Sequence, residues 1–226
     1  MTNFYRKLKK LTGSLSSLKV YKQFFISLSM EEKNNNSIDV NVIEKHFREI
    51  LDKGLKVDLK DPNFLETPKR VAKAYKEIFA GLGHTKEDIE NIFKTCFPTN
   101  YNGMVFEKNI TVFSMCPHHF LPVRYNVSVG YIPDGCGVGL SKLVRIIELL
   151  AKRPALQETL TQEIVELIEK YMHTKGAICM VIGEHYCMQM RGVKQKDVST
   201  TTSAANGVFL TQPEMELKFY ESMRNS

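Results

Sequence analysis

A chain of 226 residues with 43% hydrophobic and 25% charged residues has an ordinary globular composition and ample material for a buried core. Its net charge of +6 sits at one end: six basic residues and no acid fall within positions 1–30, leaving 25 of the 31 basic residues against 25 acidic ones elsewhere. A neutral body excludes general nucleic-acid binding outside the tail, no apolar run reaches the roughly 18–20 residues that span a bilayer, and an odd set of five cysteines argues against a disulfide framework and for a reducing, cytoplasmic setting.

Residues 1–36 differ from the rest, being basic and Ser-rich, then Asn-rich. Phe4, Leu8, Leu11, Leu15 and Leu18 recur at helical spacing, and the acid-free composition fits an organellar transit peptide as well as a plain extension. From Ser37 the pattern turns helical. Ser37 is expected to cap a helix with Ile43, Phe47, Ile50 and Leu51 on one face, ended by Gly54. Thr67-Pro68 opens a second helix, with Thr as cap and Pro in the first turn, and Gly81 closes it. Thr85 caps a third. A helical N-terminal subdomain over 37–98 is the expectation, followed by a second unit over 99–226.

In that second unit the period changes. Residues 110–115 read as a strand running into Cys116, and Val123, Tyr125, Val127, Val129 and Tyr131 alternate with smaller or polar residues as a half-buried strand. Ser141 is expected to cap a helix that stops near Arg153-Pro154, and another helix runs from about Leu156 to Gly176. Ala177–Ile182 is a short apolar strand, Glu184–Arg191 a further strand, Thr200–Ser203 a polar loop, and Pro213 starts a C-terminal helix. The class is α+β, with a β-β-α-α-β-β order after a helical preface.

Chemistry concentrates in Cys116-Pro117-His118-His119 and in His185-Tyr186-Cys187. A thiol and an imidazole at that spacing suit zinc, and a distant Cys completes a site of three protein ligands with one position open, the arrangement of a catalytic rather than a structural zinc. Cys116 and His119 point apart in a strand, so they share a metal only if the chain turns at Pro117. On a Glu184–Arg191 strand, His185, Cys187, Gln189 and Arg191 would share one face. Gly139-Leu140-Ser141-Lys142 with Arg145 places a helix N-terminus, a hydroxyl and two cations together, which suits phosphate. Gln157-Glu158 open the next helix, where a carboxylate is favoured by the dipole and can accept from an amino-substituted base. Cys136 and Cys179 read as small buried hydrophobes.

In register, Glu66-Thr67-Pro68-Lys69-Arg70-Val71, Cys116-Pro117-His118-His119, Gly139–Arg145, Arg153–Thr161, His185-Tyr186-Cys187-Met188 and Met190-Arg191-Gly192-Val193 make the sequence resemble the GTP cyclohydrolase I family over roughly residues 38–224. The resemblance implies a tunnelling fold whose sheets join into a barrel across subunits, with two stacked rings making a homodecamer and active sites between subunits. It implies zinc held by Cys116, His119 and Cys187, and catalytic roles for His118 and His185. Ser141, Lys142, Arg145, Arg191 and, from another subunit, Arg70 would contact the ribose and triphosphate of GTP, and Gln157 and Glu158 would recognise guanine. The implied reaction opens GTP at C8, releases formate and recloses the product as 7,8-dihydroneopterin triphosphate, the first step of pterin, folate or deazapurine synthesis. One position departs from the pattern: the family usually has Glu where this chain has Pro117, which alters the surroundings of the metal turn. Two alternatives compete with this reading. One is another tunnelling-fold enzyme acting on a pterin or deazapurine; the other is a non-catalytic, zinc-stabilised module that binds a purine nucleotide as an effector.

Overall fold

The computed structural model describes residues 37–224; the basic segment 1–36 lies outside the described residues, as does the helix or address read there. Helix α1 (Val40–Glu49) begins later than the Ser37 reading placed it. Asp39 is its cap, accepting from the N–H groups of Asn41 and Val42 at 2.9 and 3.0 Å, a carboxylate doing what the serine hydroxyl was expected to do. A π turn over Ile50–Gly54 ends it. In α2 (Thr67–Ile78), Thr67 is the first helical residue rather than the cap, Pro68 lies in the first turn where no N–H is needed, and a 3-10 turn over Ala80–Gly83 follows. Thr85 caps α3 (Lys86–Phe93) with a reciprocal Asp88 bond. Ile89 and Phe93 of α3 enter the same core as the sheet.

Two short strands, β1 (Phe97–Pro98) and β4 (Cys136–Gly137), pair antiparallel, and Cys96 is bonded to Cys136 as a disulfide across them. Cys136 is therefore buried but paired, where the sequence suggested a lone small hydrophobe. The main sheet contains β2 (Val105–Met115), β3 (Pro122–Pro133), β5 (Thr174–His185) and β6 (Thr200–Ala205), antiparallel in the order β2-β3-β5-β6. Between β4 and β5 come α4 (Ser141–Ala151) and α5 (Gln157–Tyr171). After β5 the chain makes one helical turn, α6 (Tyr186–Gln189); after β6 it forms α7 (Val208–Thr211) and α8 (Pro213–Arg224).

The β-β-α-α-β-β order holds, but its last two strands are redrawn. The expected strands 177–182 and 184–191 are one strand that stops at His185, and the Thr-rich stretch read as a polar loop is the fourth strand, pairing Gly183 with Thr200 and Ile178 with Ala205. Threonine is β-branched and suits an edge strand with one wet face. Leu140, not Ser141, is the residue preceding α4, with no side-chain cap.

The main core lies between one sheet face and α4/α5. Val123, Tyr125, Val127, Val129 and Tyr131 of β3 meet Leu143, Ile146 and Ile147 of α4 and Leu160, Ile164 and Ile168 of α5. A smaller cluster on the other face joins Ile132 and Ile178 to Phe209 of α7 and Phe219 of α8. This second layer explains why β3 alternates cleanly only in its first half. At Gly130 a Cβ would sit 3.0 Å from Phe219 and 3.2 Å from Ile178, so the small residue there is where α8 closes on the sheet.

Strand β2 carries a bulge between Glu107 and Ile110. Both carboxylate oxygens of Glu107 are buried without a hydrogen-bond partner among the described residues, and burial pushes the group up from 4.5 to about 7. Between those two pH values the folded chain keeps a proton that the unfolded chain has released, so stability is full below about 4.5 and falls as pH rises through about 7. Glu107→Gln should remove that fall: thermal melts of variant and wild type converge at acid pH, and the variant melts higher above neutrality. Parallel melting curves across the range would show that Glu107 is solvated.

Candidate active site

Strand β2 delivers Cys116, 5% exposed, to the bottom of a tight turn. The N–H of Cys116 donates to the Leu121 carbonyl and that of Phe120 to the Cys116 carbonyl, both at 2.9 Å, and Phe120 takes φ +52° to close the loop. The turn required at Pro117 is present, and it presents His118 and His119 on the same side as the thiol: their Nδ1 atoms lie 3.9 and 3.7 Å from Cys116 Sγ. Cys187 arrives from the other direction. It reaches the site from the helical turn α6, not from a strand face shared with His185 as the alternation suggested. One ligand atom each from Cys116, His119 and Cys187 lies within 4.8 Å of the others.

The donor set fits a soft dication. Two thiols and an imidazole are the ligands that select zinc over hard cations. Burial, then the hydrogen bond and charge of Cys116, pushes the Cys187 thiol up, and Arg191 pulls the other way. A bound cation would offset that rise, since a coordinating thiol gives up its proton to the metal.

His185, the last residue of β5, faces Val123 in register and lies edge-on to the Tyr125 ring at 6.0 Å. Burial pulls its imidazole below the ordinary value, with the charge of Glu158 opposing. Tyr125 marks where the parts converge: its phenol is pushed up first by burial, then by the charges of Cys116, Glu158 and Cys187. The pair Gln157-Glu158 separates at the start of α5. Glu158 is exposed, while Gln157 is 3% exposed with its amide spent on protein atoms. Its nitrogen bonds the Val181 and Thr200 carbonyls and the Thr202 hydroxyl, and its oxygen bonds His185 Nε2 at 2.9 Å.

The sequence matches the GTP cyclohydrolase I family over residues 43–224. The chain belongs to that family. Among relatives, GTP cyclohydrolase 1 of Streptococcus sanguinis is 48% identical over 158 residues, 70% of this chain and 84% of the relative. GTP cyclohydrolase 1 of Clostridium perfringens is 41% identical over 179 residues, 79% of this chain and 95% of the relative. The tunnelling fold read from the motifs is the fold of this family.

The remaining residues that the GTP cyclohydrolase I resemblance singles out are placed as follows. Ser141, Lys142 and Arg145 lie in the first turns of α4, and the Lys142 ammonium donates to the Thr95 carbonyl at 2.7 Å, next to the Cys96–Cys136 bond. Arg191 is exposed just beyond α6, near enough to Cys187 to act on its thiol. Arg70 is exposed on α2, whose principal packing is against α1 and the 80–83 turn rather than the thiol cluster. Sequence reasoning missed Tyr125, Thr161, Thr202 and Gly183, which hold the site from behind. Tyr125 was visible only as a core residue of an alternating strand, and the threonines only as polar filler.

Proposed function

We propose that this chain is a zinc-dependent GTP cyclohydrolase, converting GTP to 7,8-dihydroneopterin triphosphate and formate. The observation that carries the reading is the convergence of Cys116, His119 and Cys187 within 4.8 Å, beside a histidine outside that set and held by a partner of its own. Cys116, His119 and Cys187 would hold the ion and leave one position open. Bound there, zinc supplies a Lewis acid that makes water nucleophilic near neutral pH.

His185 gives and takes the proton of the purine's five-membered ring as it opens at C8, and His118, beside Cys116, assists. Hydrolysis of the resulting formamide frees C8 as formate, and the opened ribose rearranges and recloses on the diaminopyrimidine. Glu158 accepts from the amino edge of guanine. Lys142, Arg145 and Arg191, with the Ser141 hydroxyl at the start of α4, bind the triphosphate, for which Lys142 leaves the Thr95 carbonyl. Arg70 reaches this site from a neighbouring chain, in a decamer of two stacked rings, and the helices before the sheet form a subdomain of that assembly. The product enters pterin synthesis.

The test is the purified chain with stoichiometric zinc and GTP, following formate together with the absorbance and fluorescence of the oxidised pterin. Both should appear in step. Formate alone would limit the activity to ring opening and implicate Pro117 in the failure to reclose; neither product from a zinc-loaded chain that binds GTP would make the protein a nucleotide-binding module.

A further inference from the structure

The side chain of Gln157 has a proton arrangement that can be worked out atom by atom. Its amide nitrogen lies 3.0 Å from the Val181 carbonyl, 2.8 Å from the Thr200 carbonyl and 3.1 Å from the Thr202 hydroxyl. Carbonyl oxygens only accept, so the group facing them is the NH2, and the amide cannot be turned over. Thr161 donates its hydroxyl proton to the Gln157 backbone carbonyl at 2.8 Å. With that proton used, the 2.6 Å contact between Thr161 and Thr202 is donated by Thr202, whose oxygen is left to accept from the amide. Every hydroxyl in the circuit has one direction. Gln157 Oε1 therefore faces His185 Nε2, 2.9 Å away, as a pure acceptor, and the Nε2 must carry the hydrogen.

The contact exists because position 183 has no side chain. A Cβ there would fall 2.2 Å from Gln157 Oε1, 3.0 Å from His185 Nε2 and 2.9 Å from Tyr125 Cε1. Gln157 and Tyr125 have no room to retreat, at 3% and 1% exposed, and Gly183 itself is paired on both sides in the sheet, so the half-buried His185 ring is the group that would be displaced.

We propose that Gln157, with Gly183 making the room, is the positioning residue of His185. It fixes the ring's orientation and its Nε2–H tautomer so that Nδ1 is the nitrogen offered for proton transfer, and it does not read the base. The inference rests on the cyclohydrolase reading for its consequence in turnover, but its geometry stands apart from it. Partners that fix the tautomer and orientation of a metal-ligating histidine are worth about 10–100-fold in activity when lost, and the same order is expected where the histidine held in place moves the proton.

The experiment uses the zinc-loaded full chain with 15N-labelled histidine, in wild type, Gln157→Met and Gly183→Ala. Imidazole 15N shifts report the tautomer, and His185 is assigned by the signal lost in His185→Ala. Affinity is measured for 7-deaza-GTP, which keeps the amino edge of guanine but has no C8 amidine to open, and turnover is measured with GTP. Wild type should show a protonated Nε2 and an unprotonated Nδ1. Both variants should lose that single-tautomer signature and lower kcat about 10–100-fold, with analogue affinity within about twofold of wild type.

A tenfold or greater loss of analogue affinity in Gln157→Met, with the His185 signals unchanged, would make Gln157 a base-reading residue and overturn the proposal. An Nδ1–H tautomer in wild type would overturn it as well. Should Gln157→Met fail to fold, Thr202→Val loosens the amide without orphaning the two carbonyls and gives the same signature at smaller amplitude. A wild-type chain without turnover sinks the cyclohydrolase reading alone, since the 15N shifts and the analogue affinity still decide the positioning.

Discussion

Cys187→Ala is expected to abolish zinc binding and turnover together. The site has three protein donors within 4.8 Å, and a tetrahedral ion that keeps one position for chemistry has none to spare. With one thiolate gone, Cys116 and His119 form a two-ligand site, and the apparent binding free energy of roughly 10–16 kcal/mol that a full structural set achieves is out of reach. Metal analysis of the purified variant should fall from stoichiometric to background, and formate release with it. Cys179→Ala is the control. That thiol is fully buried in β5 and burial pushes it up, so it stays protonated and takes no metal. Its variant should keep both zinc and turnover. Stoichiometric zinc in Cys187→Ala would put the third ligand elsewhere, and His118, 3.9 Å from Cys116 Sγ, would be the first to examine.

His185→Ala should do the opposite with the metal: zinc stays, and turnover falls by about 10²–10⁴-fold, the range that a positioned general acid or base contributes. His185 is outside the three-donor set and its nearest polar partner is Gln157, not a thiol. Removing its ring leaves Gln157 Oε1 without a donor, a penalty of about 1–3 kcal/mol that shows in a melt rather than in metal content. Metal analysis, melting temperature and formate release on one preparation separate the two effects. If zinc leaves with the ring, His185 is a ligand and the division of labour proposed for the site is wrong.

Much of the fold was legible because burial writes itself as period. Val123 to Tyr131 alternate and form β3, and the α5 stripe of Leu160, Ile164 and Ile168 packs on it. The metal turn was legible because Cys116 and His119 cannot meet across a straight strand, and the chain does turn there. What was misread has local causes. Residues 185–191 alternate polar and apolar, which imitates a strand, while a four-residue helical turn is too short to show a period of its own. Strand β6 contains no large apolar residue: its hydroxyls bond inward, as Thr202 does, so its buried face does not look buried in the sequence. Asp39 and Ser37 are equally good caps by composition, and only the backbone chooses between them. The Cys96–Cys136 bond joins positions 40 residues apart with no spacing signature. Gly183 is the hardest case, since its contribution is the absence of atoms.

The four strands of the main sheet alternate in direction, and both outer strands, β2 with eleven residues and β6 with six, have no neighbour on one side among the described residues. An even number of alternating strands leaves its two rims running in opposite senses. The β6 rim of one copy can therefore take the β2 rim of the next as an ordinary antiparallel neighbour. Such a join would be between unlike surfaces, so it would have no two-fold axis of its own: repeated copies close into a ring only where the rotation per copy divides a full turn, and otherwise run on as an open helix.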